Sequence, residues 1–210
     1  MLQSVDLTCV RGDRTLFSEL NFSVQSGELL YLKGHNGSGK TSLLRILSGL
    51  MLQAEGEVRW HGENIRKLRD EYQKELLYIG HLPGIKADLT ALENLRVNNA
   101  LGGYAISEDE AWDALGKIGL KGREDLPTRV LSQGQQRRVA LARMLVSKAK
   151  LWILDEPFTA LDVKAVEMLQ NVLGAHVKNG GSIILTTHQE FSVENTEVRM
   201  LHLGLSENNV

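Results

Sequence analysis

The sequence predicts an α/β fold in which helices cover both faces of a parallel sheet. Short apolar segments of strand length occur at residues 29–32, 151–154 and 182–186, and helical segments lie between them. Apart from Ser182 and Thr186 at the ends of the last one, these segments are apolar without interruption, as expected of strands buried on both faces. In addition, the segment at 29–32 runs directly into a glycine-rich stretch that is followed by a helix. This order of strand, loop and helix is typical of parallel α/β proteins.

The elements can be predicted in chain order. Residues 2–33 are expected to form strands with turns at Gly12-Asp13 and around Gly27. Residues 41–50 form a helix, and its packed side carries Leu43, Leu44, Ile46 and Leu47. Residues 89–120 are helical with a break at Gly102-Gly103, which predicts a helical insert. The remaining expected strands are 56–60 and 76–79, and the remaining helices are 134–147 and 163–177.

Length and composition fit one ordinary globular domain. The chain has 210 residues, of which 42% are hydrophobic and 24% charged, so disorder is not expected. Lys plus Arg total 24 against 26 Asp plus Glu, a net charge of -2. This balance gives no electrostatic footprint for nucleic acid, and no nucleic-acid partner is expected.

Cysteine content and hydropathy bear on the compartment. Cys9 is the only cysteine, so an intramolecular disulfide is excluded and a reducing compartment is expected. No apolar run approaches the ~20 residues that cross a bilayer. The first residues lack the basic and apolar regions of a secretory signal. We therefore expect a cytosolic chain that needs a partner for any function in a membrane.

The glycine-rich loop has the spacing of a phosphate-binding loop, a glycine, four residues, then Gly-Lys-Thr. Glycines permit turns that bring backbone N–H groups onto phosphate oxygens, and the following helix presents its positive end to the same anion. Lys40 would neutralise the β- and γ-phosphates, and the hydroxyl of Thr41 would bind Mg²⁺. The candidate ATP-binding residues here are Gly34, His35, Asn36, Gly37, Ser38, Gly39, Lys40, Thr41 and Ser42.

Two carboxylates follow the apolar segment 151–154. Strand ends of parallel sheets are where ligands bind, so Asp155 could hold Mg²⁺ through water and Glu156 could act as the general base for an attacking water. A solvated acidic turn after a strand is an equal alternative from these two residues alone.

A further motif precedes the helix 134–147, whose start is basic. It consists of Leu131, Ser132, Gln133, Gly134 and Gln135. The motif resembles the signature of the ABC ATPase family, Leu-Ser-Gly-Gly-Gln, with Gln133 in place of one glycine. The resemblance implies that this signature binds the γ-phosphate held by the phosphate loop of a second subunit. Ser132 would donate its hydroxyl, Gly134 its N–H, and the helix its dipole.

The resemblance extends over essentially the whole chain. Asp162, in Ala160-Leu161-Asp162, matches the family's D-loop at the dimer interface, and His188 matches the switch histidine that contacts the γ-phosphate. The resemblance implies a P-loop NTPase domain of the ABC type with a mixed β core, an antiparallel β subdomain and a helical insert. The core would comprise about 1–85 and 148–210, and the helical subdomain about 86–147. It further implies a homodimer with ATP and Mg²⁺ at its interface.

The sequence departs from the family at two positions. Leu82 stands where the family has a glutamine that contacts Mg²⁺ and senses the membrane partner. Either Mg²⁺ binding and turnover are weakened, or His81 takes over part of this role, or the ligand is dispensable. Arg11 stands at the position of the adenine-stacking aromatic. A guanidinium can stack on a purine, and a solvated surface arginine is the equal alternative.

Several segments resemble the ATP-binding subunits of the cytochrome c maturation system. They are residues 79–86, 89–95, 133–143, 151–162 and 186–189. This resemblance implies a peripheral subunit at the cytoplasmic face of the bacterial inner membrane, bound to integral membrane permease subunits. ATP hydrolysis would drive haem export or release of a haem-loaded chaperone.

Haem itself would be handled by partners, because the chain has no Cys-x-x-Cys-His and its six histidines are scattered. Two alternatives for the function remain open. One is the ATPase of another small ABC exporter for lipids, peptides or drugs, and the other is a soluble ABC protein that acts on nucleic acid or ribosomes.

Overall fold

The structure is a computed structural model that describes residues 1–194 and 196–204. The strands are β1 Leu2–Arg11, β2 Arg14–Val24, β3 Leu29–Lys33, β4 Glu55–Trp60, β5 Glu63–Asn64, β6 Leu76–Ile79, β7 Leu151–Asp155, β8 Ser182–Thr186 and β9 Val198–His202. The α-helices are α1 Lys40–Leu47, α2 Ile65–Leu68, α3 Asp70–Lys74, α4 Ala91–Leu101, α5 Glu108–Lys117, α6 Gln133–Val146 and α7 Val163–Lys178.

The strands form two sheets. The four-stranded sheet has the order β2-β1-β4-β5 and is antiparallel. The five-stranded sheet has the order β6-β7-β8-β3-β9, and all its pairings are parallel. The prediction of a mixed β core is thus met by two separate sheets rather than by one sheet with strands of both directions. Because the strands of the second sheet run the same way, the loops that follow β3, β6, β7 and β8 emerge at one edge.

Side chains of the parallel sheet alternate between two buried clusters. Leu30, Ile153 and Ile184 pack on one side against α1 and the antiparallel sheet. Trp152 and Leu154 pack on the other side against α4 to α7. Both faces of the sheet are covered, as the uninterrupted apolar segments predict. The helices α4 to α6 share this second cluster with the sheet, so the helical insert is packed onto the core.

Helix starts in the insert follow from local sequence. The helices α4, α5 and α6 each begin with a capping box, formed by Thr90 with Glu93, Ser107 with Glu110, and Ser132 with Gln135. Each box satisfies two backbone N–H groups that the first helical turn leaves free. The break predicted at Gly102-Gly103 lies between α4 and α5 and is confirmed. The boundaries of 86–147 for a helical subdomain stay a prediction.

Two expectations about local structure were wrong or incomplete. The helix predicted over 41–50 ends at Leu47, because Gly49 turns the chain with φ 75° and its N–H donates to the carbonyl of Ile46. The sequence patterns also missed the short helices α2 and α3 and the strands β5 and β9. None of the helices in the described part of the chain is both long and apolar enough to cross a membrane.

Candidate active site

A cleft of about 640 Å³ opens at the edge of the parallel sheet where β3, β6, β7 and β8 end. It brings together many of the residues that the sequence singled out, although they come from distant parts of the chain. Its lining comprises Arg11, Leu16, Asn36, Gly37, Gly39, Lys40, Thr41, Ser42, His81, Asp155, Glu156, Thr159, His188 and Gln189.

The glycine-rich loop connects β3 to α1 and forms one wall of the cleft. Gly39 precedes α1 with φ 101°, and a Cβ there would lie 3.1 Å from Leu16 Cβ and 3.2 Å from the ring of Phe17. The conformation favours glycine at this position, and a Cβ would in addition crowd the side chains of Leu16 and Phe17. The start of α1 has no side-chain cap, so its N–H groups are available to an anion.

The glycine-rich loop and the start of α1 present an ammonium group and a buried hydroxyl, those of Lys40 and Ser38. The ammonium of Lys40 donates to the carbonyls of Gly34 at 2.7 Å and His35 at 3.1 Å, so the side chain folds back over the loop. Ser38 is 2% exposed, and its hydroxyl has no hydrogen-bond partner among the described residues. A buried polar atom without a partner is costly, and phosphate oxygens in the loop would fit the groups present.

Hydroxyl groups of α1 and β8 hold the carboxylate of Asp155, the last residue of β7. The hydroxyl of Thr41 donates to Asp155 Oδ2 at 2.9 Å, and the hydroxyl of Thr186 donates to Asp155 Oδ1 at 2.7 Å. Asp155 is 3% exposed. These neutral and anionic oxygens are the ligands that Mg²⁺ prefers. The described residues contain no group of three or more His, Cys, Asp or Glu that could hold a metal alone, so such an ion would also need the oxygens of a bound nucleotide.

Glu156 is held in an unusual backbone conformation next to His188. Its φ is 52°, in the left-handed region, which costs a residue with a side chain about 1–3 kcal/mol. Its N–H donates to both the carbonyl and the hydroxyl of Thr186, each at 3.1 Å. Its carboxylate accepts from the N–H of His188 at 3.1 Å and lies 3.4 Å from His188 Nε2. The strained residue therefore directs its carboxylate to the histidine side of the cleft.

Two residues that the sequence patterns did not single out support this arrangement. Thr186 contacts both Asp155 and Glu156 from the neighbouring strand, and the only signal was a pair of threonines after an apolar segment. Arg137 is 4% exposed and donates to carbonyls at the ends of β6 and β7. In the sequence it belongs to the basic start of a helix, and a run of polar residues gives no indication of which one is buried.

The signature residues lie apart from the cleft. Residues 131–135 do not appear among the described residues that line it. Ser132 and Gln133 are exposed at the start of α6. A Cβ at Gly134 would lie 2.8 Å from the carbonyl oxygen of Ala160, so the signature packs closely on the following loop. Leu131 is buried beneath them, and Gln135 closes the capping box.

Asp162 secures the loop between β7 and α7. Its carboxylate accepts from the N–H of Ala165 at 2.9 Å and pairs with Arg138 of α6. The N–H of Ala165 and the nearby Arg138 lower the pKa of Asp162. The predicted D-loop residue is thereby tied to the signature helix within the same chain.

The structure places the two departures from the family pattern differently. Leu82 is 77% exposed and is not among the described residues that line the cleft, whereas its neighbour His81 is. Arg11 is exposed and lies at the cleft with Leu16. The groups that line the cleft near these two positions are thus the imidazole of His81 and the guanidinium of Arg11.

Comparisons with known proteins agree with the geometry. A family model described as "ABC transporter" matches residues 17–159. The chain is 58% identical over 206 residues to the "Cytochrome c biogenesis ATP-binding export protein CcmA" of Nitrosomonas europaea, covering 98% of this chain and 96% of that protein. It is 55% identical over 202 residues to the protein of the same name from Nitrosospira multiformis, covering 96% and 98%.

Among solved structures, the chain is similar to an ATP-binding cassette described as dimeric, in a post-hydrolysis state and bound to ADP and Pi. The TM-score is 0.85 at 25% identity, covering 97% of this chain and 94% of that one. A structure described as the ATP-binding subunit of an ABC transporter gives a TM-score of 0.79 at 27% identity, covering 89% and 79%.

Proposed function

This chain belongs to the ABC transporter family, and from that premise we propose that it is the ATP-hydrolysing subunit of a membrane complex for cytochrome c biogenesis. The observation that carries the enzymatic part is the cleft, in which Lys40 and Thr41 at the start of α1 meet Asp155 and Glu156 at the end of β7. The biogenesis part rests on the similarity to the relatives named above, which extends over nearly the whole chain.

Binding of ATP at this cleft uses charge and backbone dipoles. Lys40 and the uncapped start of α1 offer positive potential to the phosphates. Lys40 would exchange its two carbonyl contacts for phosphate oxygens, which make stronger charge-assisted hydrogen bonds. Arg11 would stack on the base. Gly34 to Ser42 form the cradle around the phosphate groups.

Mg²⁺ would be held by the Thr41 hydroxyl and by Asp155, whose oxygens lie 2.9 Å apart. When bound, it would neutralise charge that develops on the phosphate oxygens. The direct hydrogen bond between the two residues keeps both donors on one side of the cleft. Thr186 fixes the other carboxylate oxygen of Asp155, so the orientation of this carboxylate does not depend on the metal.

Glu156 and His188 are the residues that we propose for the hydrolysis of ATP. Glu156 accepts the proton of the attacking water as general base, and its contact with the backbone N–H of His188 sets the direction of the carboxylate. His188 is exposed at the mouth of the cleft, where its imidazole can contact the γ-phosphate. Both residues follow neighbouring parallel strands, β7 and β8, which explains their proximity.

A complete site would require two copies of the chain. The cleft and the exposed signature residues Ser132 and Gln133 belong to different parts of one subunit. A two-fold homodimer would place each signature on the ATP held by the other copy. Bound ATP then stabilises the closed dimer by mass action, and loss of the γ-phosphate contacts lets it open.

The expected partners are integral membrane permease subunits, together with haem-handling proteins. We place the chain as a peripheral subunit at the cytoplasmic face of the bacterial inner membrane. The segment from His81 to Asp88, between β6 and α4, is the proposed docking site for a permease. It carries the exposed Leu82, an apolar side chain that a partner would cover.

The function is tested by haem staining of covalent c-type cytochromes in cells that lack this gene. We expect wild type to restore the stain and Glu156→Gln, produced at the same level, not to restore it. An intact stain in the deleted cells would remove the assignment to cytochrome c biogenesis. The chain would then be the ATPase of another exporter, identified by the membrane protein that copurifies with it.

A further inference from the structure

The buried guanidinium of Arg137 joins three segments of the candidate active site. One terminal nitrogen donates to the carbonyls of Gly80 at 2.8 Å and His81 at 3.3 Å, just after β6. The other donates to the carbonyls of Asp155 at 2.9 Å and Glu156 at 2.8 Å, at the end of β7. Arg137 itself belongs to the second turn of α6, the helix that Ser132 of the signature caps.

These contacts fix the peptide groups on both sides of Glu156. Its N–H is bound by Thr186 and its carbonyl by Arg137. A residue in the left-handed region keeps that conformation only where its surroundings hold it. Without Arg137, the carbonyl of Glu156 would lose its hydrogen bond and only the N–H would remain fixed. The carboxylate of Glu156 could then turn away from His188.

The side chain is chemically suited to this role. A planar guanidinium offers its donors in a fixed fork and can bind two pairs of carbonyls at once, which a lysine ammonium cannot do. Burial is the largest effect on Arg137 and lowers its pKa, while the nearby carboxylates of Asp155 and Glu156 oppose that change. Its Nε is buried and has no hydrogen-bond partner among the described residues. If this side chain only packed α6 against the core, an apolar residue would give at least equal stability.

The segment after β6 that Arg137 contacts includes Leu82, the position at which the family has a glutamine. Leu82 directs its side chain into solvent and has no group that could reach the catalytic carboxylate. Arg137 instead donates to the backbone carbonyls of Gly80 and His81, the two residues immediately before Leu82. A displacement of this segment by a docked partner would therefore reach Glu156 through the guanidinium.

We propose that Arg137 is a positioning residue for ATP hydrolysis, which holds Glu156 in its reactive orientation and couples it to the segment after β6. The inference rests on hydrolysis at this cleft, and it is independent of which substrate the complex exports.

The test compares Arg137→Lys and Arg137→Gln with Arg143→Lys, as purified proteins. Arg143 is a matched control, because it lies on the same helix, is largely buried and donates to the carbonyl of Tyr78 at 3.3 Å in β6, away from Glu156. For both Arg137 variants we expect kcat to fall about 10–100-fold. The KM for ATP should stay within about twofold and the melting temperature close to that of Arg143→Lys.

Each outcome decides the matter. Wild-type kcat in Arg137→Lys and Arg137→Gln would overturn the proposal, as would equal losses of kcat in the control. Loss of ATP affinity together with kcat, or failure of both Arg137 variants to fold, would assign the residue to the core instead. Absence of hydrolysis in wild type would contradict the ATPase function itself, a result that the variants cannot mimic.

Discussion

The hydroxyl of Thr41 and the carboxylate of Asp155 lie 2.9 Å apart, although 114 positions separate them in the chain. This contact joins the start of α1 to the end of β7, so the phosphate loop and the acidic residues form one site. It also places the two proposed Mg²⁺ donors side by side, with Asp155 buried and fixed from behind by Thr186.

Thr41→Val should therefore remove a metal donor with little change in shape. We expect the affinity for Mg²⁺, measured through Mg²⁺-dependent ATPase activity, to fall at least about tenfold. Thr41→Ser keeps the hydroxyl and should remain close to wild type. Equal Mg²⁺ titrations for Thr41→Val and wild type would show that this hydroxyl does not bind the metal.

Leu82→Gln tests whether the departure from the family limits turnover. The leucine cannot bind a metal or orient water, so a glutamine that turns from this exposed position into the cleft should increase kcat or lower the Mg²⁺ concentration needed. His81→Ala in the same assay measures how far the neighbouring imidazole serves in its place, since His81 lines the cleft. Identical rates and Mg²⁺ dependence of Leu82→Gln and wild type would mean that the ligand is dispensable.

Arg11→Ala tests the stacking of a guanidinium on the base. A cation–π contact worth about 0.5–2 kcal/mol predicts ATP binding that is about 2–30-fold weaker. Because stacking discriminates little between purines, GTP should compete well with ATP in wild type. Arg11→Lys is the control that retains charge without the planar group. An unchanged ATP affinity in Arg11→Ala would identify Arg11 as a solvated surface residue.

A histidine far from the cleft makes stability depend on pH. His176 stacks on Trp152 with ring centroids 3.7 Å apart, and burial lowers its pKa from the ordinary value of 6.5 to about 4. The unfolded chain thus binds more protons between these two pH values, and stability falls as the pH falls through this window.

The change in unfolding free energy between pH 7 and pH 5 is at most about 2 kcal/mol, and partial exposure of the ring reduces it. Urea unfolding at the two pH values should show a smaller pH effect for His176→Phe, which keeps an aromatic ring beside Trp152 but cannot be protonated. The same pH effect in both proteins would exclude His176 as the source.

The sequence predicted those parts of the site whose chemistry is local. The phosphate loop is contiguous, and its glycines, Lys40 and Thr41 are recognisable by spacing alone. Asp155 and Glu156 could be identified because they end an apolar strand at the sheet edge where ligands bind. The same reasoning predicted both the parallel sheet and the helical insert, which the structure confirms.

The contacts that orient those residues could not be predicted. Thr186 and Arg137 act on Glu156 through partners 30 and 19 positions away in the chain, and their roles depend on how strands and helices pack. The strand β9 was missed because three of its five residues are exposed at the edge of the sheet, which leaves no apolar pattern.

The central claim is that ATP joins two copies of this chain, each supplying the signature for the cleft of the other. The most direct measurement is the molar mass of Glu156→Gln in solution by light scattering, with and without saturating ATP and Mg²⁺. Since this variant should bind ATP without hydrolysing it, the account predicts a stable dimer with ATP and a monomer without it. The additional change Lys40→Ala should restore the monomer. A Glu156→Gln protein that binds ATP and remains monomeric at saturation would contradict the account.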